Sequence, residues 1–149
     1  MLNKKRSNLL IVLQLFLGIG AMFGGIALIM DPSGEFIGMP LSLLENSFFN
    51  NYLLPGLILF CALGMFSIVT ASGLLLRWNW EFAEKINIFR DKHWSWTFSL
   101  YLGFELIIWI TIQVYILDVF YLIHLIYITL GLFIQIVTLL PKVQEKYIR

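Results

Sequence analysis

The sequence is poor in charged residues and in cysteine. Charged side chains occupy 13% of its 149 positions, whereas a soluble globular domain carries about 25%. Lys and Arg together number 10 and Asp and Glu number 9, so there is no basic excess of the kind that binds nucleic acid. Cys61 is the only cysteine in the sequence, which excludes an internal disulfide and a cysteine-rich metal site. We therefore expect neither a nucleic-acid partner nor a bound metal or cofactor.

Apolar residues dominate what remains. They make up 60% of the chain, and its mean hydropathy is +0.86. A helix needs about 20 apolar residues to cross the hydrocarbon core of a bilayer. Stretches of this kind occur over residues 9–30, 53–76, 98–117 and 119–140. A helix also satisfies its backbone hydrogen bonds within its own segment. The sequence therefore predicts an all-α membrane protein, a single domain over residues 1–149 that forms a four-transmembrane-helix bundle.

The distribution of Lys and Arg predicts the orientation of this bundle. Three basic residues precede the first stretch, four lie between the second and the third, and three follow the fourth. The other two connections carry none. Because cytoplasmic segments of membrane proteins are enriched in Lys and Arg, we predict that the N and C termini are both cytoplasmic. The first stretch exceeds the apolar core of about 7–15 residues in a signal peptide, so we expect a retained helix.

The predicted outer loop contains a turn sequence. Residues 31–34 read Asp-Pro-Ser-Gly, in which Asp caps the turn, Pro presets φ and Gly tolerates the exit geometry. The amphipathic residues 41–49 are expected to lie at the interface or to fold back on the bundle. Two interpretations stay open, a structural cap over the bundle and a lid over an outward-facing pocket. Asp31, Glu35 and Glu45 are too scattered to indicate a calcium site.

The predicted cytoplasmic loop is rich in aromatic and basic side chains. Phe82, Ile86 and Phe89 occur at helical spacing, which predicts an interfacial helix. Tryptophan favours the headgroup level of a bilayer, because its ring is apolar and its N–H needs a partner. We expect His93 to be solvated at the same level. The residues assigned to interface anchoring, or alternatively to a specific anionic-lipid or partner site, are Arg77, Trp78, Trp80, Lys85, Arg90, Lys92, Trp94 and Trp96.

Small residues in the first stretch predict close helix packing. Gly20 and Gly24 are spaced by four residues, as are Ala21 and Gly25. In lipid, such pairs let two helix backbones approach closely. We expect this seam to pack against the second stretch, and a homo-oligomer seam is the alternative.

Polar residues inside the third and fourth stretches are the main candidates for a function. They are Glu105, Trp109, Gln113, His124 and Gln135. The first three recur at steps of four and share one helix face. A short turn near Asp118 makes the two stretches antiparallel neighbours. With a rise of about 1.5 Å per residue, we predict two polar pairs of similar depth, Glu105 with Gln135 and Gln113 with His124. Gly131 would make room for Trp109 between them.

Glu105 carries the strongest functional signal among these candidates. An acidic residue at the centre of a membrane helix costs about 2.5–3.5 kcal/mol, whereas a hydrogen bond between membrane helices contributes only about 0.6 kcal/mol. Glutamine would make the same contact at a lower cost. Two interpretations stay open, a ligand or proton role and an interhelical hydrogen bond. Either requires Glu105 to be neutralised, paired or hydrated.

Catalytic patterns are missing from the sequence. Glu105 and His124 differ in predicted depth by about 12 Å, which is too far for a general acid–base pair. The sequence contains no nucleophile elbow, no P-loop and no CxxC motif. The sequence therefore favours a function other than catalysis, and an enzyme stays the least favoured alternative.

Three short motifs carry a resemblance. They lie in residues 31–40 (Asp-Pro-Ser-Gly and Gly-Met-Pro), 52–56 (Tyr-Leu-Leu-Pro-Gly) and 109–115 (Trp, then Gln-Val-Tyr). They resemble motifs of small, functionally uncharacterised bacterial four-span membrane proteins, and the chain is also similar in size to the DoxX-like four-span proteins. The resemblance implies a four-helix bundle in the bacterial cytoplasmic (inner) membrane and assigns no catalytic residue.

The leading functional hypothesis is the binding of a lipid or another apolar molecule in a pocket lined by the five polar candidates. The protein would act alone or as an accessory subunit of a larger membrane complex. The first alternative is a homo-oligomeric ion or proton channel whose axis these residues face. The second alternative is a membrane enzyme that modifies a lipid. Membrane lipids are the expected partners in every case.

Overall fold

Four long apolar helices make up most of the structure. The computed structural model describes residues 5–149. Within this range, the helices long and apolar enough to cross a membrane are α1 (Asn8–Met30), α2 (Leu53–Leu76), α4 (Trp94–Leu117) and α5 (Leu122–Leu139). Two short helices, α3 (Glu81–Lys85) and α6 (Pro141–Gln144), lie in the loop and the tail that follow α2 and α5. The predicted all-helical fold with four long apolar helices is confirmed.

The chain segments at the two ends of the bundle differ in charge. We call the end that holds residues 5–7, 77–93 and 140–149 the basic end, because every Lys and Arg of the described residues belongs to it. The opposite end, which holds residues 31–52 and 118–121, is called the loop end. Lys4 of the predicted basic flank lies outside the described residues.

Two helix boundaries differ from the prediction, each because of a capping side chain. Helix α4 begins at Trp94 instead of residue 98, since the His93 ring accepts a hydrogen bond from the backbone N–H of Ser95. Helix α5 begins at Leu122 instead of residue 119. Here Tyr121 and His124 form a capping box, in which His124 Nδ1 accepts from the Tyr121 N–H at 3.0 Å.

Small residues set the closest helix approaches. Between α4 and α5, a Cβ added to Gly103 would lie 3.1 Å from the carbonyl oxygen of Gly131, and the reverse distance is the same. The expectation that Gly131 makes room for Trp109 is therefore wrong. Gly131 instead accommodates the Gly103 backbone and the side chain of Ile107.

Helices α1 and α2 pack closely, as expected, but partly through other residues. A Cβ on Gly25 would lie 2.9 Å from the carbonyl oxygen of Gly56, and one on Gly18 would lie 3.1 Å from that of Gly64. Ala21 is buried. The placement of Gly20 in this seam is wrong, whereas Gly24 does face α2. Gly20 faces the Tyr127 hydroxyl on α5, and Gly24 has only an ordinary contact with Leu59.

The middle of α2 departs from α-helical geometry. Residues Leu59–Met65 form a π-helical segment between two α-helical parts of α2. Pro55 lies in the first turn of α2, where its missing N–H has no helical partner to lose. π-Helical turns occur frequently at functional sites. Leu59, the first residue of this segment, lines two cavities of the bundle.

Candidate functional site

A largely apolar cavity lies at the loop end. It has a volume of about 400 Å³ and is bordered by the 31–52 loop, α2, α4 and Leu28 of α1. We call it the loop cavity. Its wall includes Leu44 and Phe49 from the loop, Leu59 from α2, and Trp109 and Gln113 from α4. Because small-molecule sites have volumes of about 300–1,000 Å³ and mostly apolar walls, this cavity has the size and chemistry of a binding site.

The 31–52 loop over this cavity has a defined fold. The Asp31 carboxylate accepts hydrogen bonds from the Ser33 hydroxyl at 2.5 Å and from the Phe36 N–H at 2.8 Å. Gly34 takes the left-handed conformation that closes the predicted turn, with φ of 75°. The buried Tyr52 then joins both arms of the loop, because its N–H donates to the Pro32 carbonyl and its hydroxyl to that of Pro40. The loop thus forms a fixed cover over the cavity.

A second cavity adjoins the first. It has a volume of about 310 Å³ and lies between α1, α2, α4 and α5, and we call it the central cavity. Leu59, Trp109 and Gln113 line both cavities. His124 lines the central cavity alone. The Trp109 and Gln113 side chains make no hydrogen bond to another residue within positions 5–149. Their polar atoms are therefore the groups in this wall that a bound molecule can engage.

The five predicted polar candidates do not form one site. Trp109, Gln113 and His124 line the cavities, whereas Glu105 and Gln135 line neither of the two. Gln113 and His124 both line the central cavity, but no hydrogen bond joins Glu105 to Gln135 or Gln113 to His124 in residues 5–149. His124 caps α5, and the Gln135 amide nitrogen is buried without a hydrogen-bond partner among residues 5–149.

A buried polar cluster was missed by the sequence reasoning. Gln14 on α1 and Ser67 and Thr70 on α2 are fully buried, and the polar atoms of their side chains have no partner among the described residues. Packing contacts pair Met22 with Gly64 and Gly18 with Ile68. One helical turn further along this antiparallel register, Gln14 comes level with Ser72, about 3 Å along the helix from Thr70.

Helical periodicity in the sequence could have predicted that Gln14 is buried. Leu10, Gln14, Leu17 and Ala21 share one face of α1, and the three apolar members of that face are buried. A polar residue on a core face needs a hydrogen-bond partner. Gln14 is therefore the polar member of an otherwise apolar buried face of α1.

Two of the predicted tryptophan anchors lie inside the protein. Trp94 is 0% and Trp96 is 2% exposed, so their assignment to interface anchoring is wrong. The Trp94 indole N–H donates to the Trp78 carbonyl at 2.9 Å, and that of Trp96 donates to the Thr138 carbonyl at 2.8 Å. These bonds allow burial, because an indole N–H without a partner would oppose it. Trp78 and Trp80 stack on each other near the surface.

The 77–93 loop also differs from the predicted interfacial helix. Its helical part is limited to α3, and Phe89 packs edge-on against Trp96. Lys92 is buried beside Asp91, with which it forms an ion pair, and is therefore not a solvated anchor. His93 is half-buried rather than solvated. Burial lowers the pKa of His93, because a desolvated imidazolium is disfavoured.

The basic residues of this loop divide between two surfaces. Arg77 lies against the tail, and its guanidinium is 4.8 Å from the centre of the Tyr147 ring. Lys85 and Arg90 lie in a separate depression with Glu81 and Glu84. The predicted single set of basic anchors is therefore split by the fold.

Comparison with known proteins adds no family to this description. No protein-family model, curated protein or solved structure matches the chain. The case for a function therefore depends on the geometry of the molecule.

Proposed function

We propose that the chain is an integral membrane protein of the bacterial cytoplasmic membrane with both termini in the cytoplasm. The support is the apolar outer surface of the four long helices, on which Phe16 and Phe23 of α1 are 59% and 77% exposed. Phe104 and Ile108 of α4 are also more than half exposed. A soluble monomer rarely exposes a continuous apolar surface of this kind. The positive charge at the basic end supports the cytoplasmic assignment.

Labelling with a membrane-impermeant thiol reagent tests this topology. Single cysteines replace Glu45 in the 31–52 loop and Glu145 in the tail, with Cys61→Ala as the background. In intact cells, we expect labelling of the loop cysteine only, and in inverted membranes, labelling of the tail cysteine only. The reverse pattern would overturn the orientation, and extraction of the chain by alkaline carbonate would overturn membrane insertion.

For the function, we propose binding of a lipid or another apolar small molecule in the loop cavity. The observation that carries the proposal is an apolar cavity of about 400 Å³ under a folded loop, with its polar side chains on one wall. Trp109 and Gln113 offer an indole N–H and an amide at the boundary with the central cavity. A ligand with an apolar body and one hydrogen-bonding group fits this arrangement. The protein acts alone or as an accessory subunit.

Native mass spectrometry of protein released from a mild detergent tests the binding proposal. We expect a defined extra mass on a monomer or a dimer. Ile116→Trp fills the loop cavity from α4 and should remove that mass, whereas Ile108→Trp changes an exposed position of the same helix and should retain it. Retention by Ile116→Trp would contradict the proposal. A ring-sized oligomer without added mass would favour the channel alternative.

A pair of glutamine variants tests the polar wall. Gln113→Leu removes the amide that faces both cavities, and we expect weaker ligand retention with unchanged folding. Gln135 on α5 lines neither cavity. We therefore expect the Gln135→Leu variant to retain the ligand fully. Equal retention by both variants would show that the Gln113 amide does not contact the ligand.

A further inference from the structure

Three segments of the chain form a pocket at the basic end. Its volume is about 550 Å³, and we call it the tail pocket. The side chains that line it come from the segment before α1, the end of α2 and the tail after α5, and they are Lys5, Arg77, Lys142, Glu145, Lys146 and Ile148. The three segments are far apart in sequence, so the fold brings Lys5 and Arg77 to the two lysines of the tail.

Tyr147 holds the three segments together. It is fully buried, and its hydroxyl accepts a hydrogen bond from the Ser7 N–H at 3.2 Å and donates to the Leu74 carbonyl at 3.3 Å. Its own carbonyl accepts from the His93 N–H at 2.8 Å. The wall of the tail pocket is therefore a fixed surface, and flexible basic tails do not account for it.

The charges of this pocket are not balanced by the protein. Four cations and a single carboxylate line it. The ion pairs found within residues 5–149 join Lys92 to Asp91 and Arg149 to Glu84, and neither pair involves a residue of the pocket. Mutual repulsion of like charges in a partly buried site is unfavourable, and a bound anion relieves it.

Arg77 is the most strongly constrained of these cations. It has a left-handed backbone conformation with φ of 52°, and its Nη2 donates to the Lys5 carbonyl at 3.2 Å. Its guanidinium lies over the Tyr147 ring, while its Nε is buried and has no partner among the described residues. Burial lowers the pKa of Arg77, and the nearby Arg6 adds to this effect. A guanidinium held in this way is pre-organised for an anion, because its position needs no further ordering.

The pocket lies level with the ends of the long helices. Arg77 directly follows α2, Lys142 comes shortly after α5, and Lys5 comes shortly before α1. In a membrane-inserted bundle, this is the level of the lipid phosphates. We propose that the tail pocket binds a phosphate-bearing anion, with the headgroup of an anionic phospholipid as its source. The inference assumes the membrane insertion proposed above but is independent of the loop cavity.

Lipid retention from nanodiscs of mixed composition tests this proposal. The discs contain equal parts of phosphatidylglycerol and phosphatidylcholine, and the lipids that stay bound on release are counted by native mass spectrometry. We expect phosphatidylglycerol to be enriched on the unaltered protein. The double variant Lys142→Gln/Lys146→Gln should lose this enrichment by more than about tenfold, since each cation near an anionic surface contributes about fivefold in affinity.

A matched double variant provides the control. Lys85→Gln/Arg90→Gln also removes two charges from the basic end, but from a depression that contains two carboxylates. We expect its phosphatidylglycerol enrichment to stay within about twofold of the unaltered protein. Equal losses in both double variants would overturn the pocket in favour of a diffuse charge effect.

Two further experiments distinguish a lipid headgroup from free phosphate and check that each variant inserts into the membrane. Inorganic phosphate added at millimolar concentration should not displace the retained lipid, and displacement would assign the pocket to free phosphate. Carbonate extraction of each variant checks insertion, so that loss of the bundle from the membrane is not mistaken for loss of lipid binding. Equal retention of both lipids by the unaltered, inserted protein would overturn the proposal.

Discussion

The two ends of the bundle are stabilised in different ways. At the basic end, the buried rings of Trp94, Trp96 and Tyr147 each make a hydrogen bond to a backbone carbonyl of another segment. At the loop end, Tyr52 joins the two arms of the 31–52 loop, and the space beneath that loop remains open. A large aromatic ring can be fully buried only when its polar atom finds a partner. We therefore expect the basic end to contribute more to stability than the loop end, which contains a cavity.

The largest effect is expected from removing an aromatic ring at the basic end. Trp96→Ala leaves a cavity beside Phe89 and removes the hydrogen bond to Thr138, so we expect unfolding to be easier by about 3–5 kcal/mol. Trp109→Ala at the cavity wall should cost about half as much or less, because that site is only half-buried and already borders open space. Equilibrium denaturation in detergent measures both values. Similar losses would contradict the difference between the ends.

The next effect concerns the turn that positions the cover of the loop cavity. Gly34→Ala forces a side chain into a left-handed residue and against the Met39 carbonyl and the Tyr52 ring, and should destabilise the loop by about 2 kcal/mol or more. Gly38→Ala is the control, since Gly38 is also left-handed but a Cβ there meets no other atom within 4 Å. Hydrogen exchange should show faster opening of residues 31–52 in Gly34→Ala than in the control. No difference between the variants would show that this contact does not hold the loop.

A smaller effect is expected from removing single hydroxyl groups. Tyr147→Phe leaves the ring in place but removes the contacts with Ser7 and Leu74, so we expect a loss of about 1–2 kcal/mol. Tyr52→Phe removes a single contact with Pro40 and should cost about 1 kcal/mol or less. Thermal unfolding in the same detergent compares the two. A larger loss for Tyr52→Phe would reverse the assignment of stability to the basic end.

The smallest effect is a difference in acid sensitivity between the ends. Because the pKa of His93 is lowered from 6.5 by burial, the unfolded chain binds a proton before the folded chain does, and stability at the basic end falls as the pH drops below that value. The pKa of Asp31 is lowered from 3.8, first by its hydrogen bond to the Ser33 hydroxyl. Its contribution at the loop end is present above pH 3.8 and is lost as the pH falls through the lowered value.

Hydrogen exchange as a function of pH separates these two steps. We expect amides near His93 to lose protection first on acidification, and amides of residues 31–36 to lose it only in stronger acid. His93→Asn keeps a side chain that caps helices well and should abolish the first step alone. Persistence of that step in the variant would assign it to another group.

The number of long helices and the turn at Asp31 could be predicted from the sequence alone, because each depends on residues that are neighbours in the chain. The number of helices and their approximate lengths are set by the runs of apolar residues. A helix satisfies the backbone hydrogen bonds of such a run within the run itself. The Asp31 turn also depends on neighbouring residues only. These features were predicted correctly, and the errors in the starts of α4 and α5 come from the capping side chains of His93 and His124.

The tertiary structure alone decided which residues share a site. Steps of four placed Glu105, Trp109 and Gln113 on one face, but the α4 residues that line the cavities lie between Leu106 and Leu117, so only the latter two belong to the site. Burial of Trp96 depends on the carbonyl of Thr138, and the charge of the tail pocket depends on three distant segments. These contacts join residues that are distant in sequence. They depend on how all the helices pack together, so the sequence pattern of a single segment does not predict them.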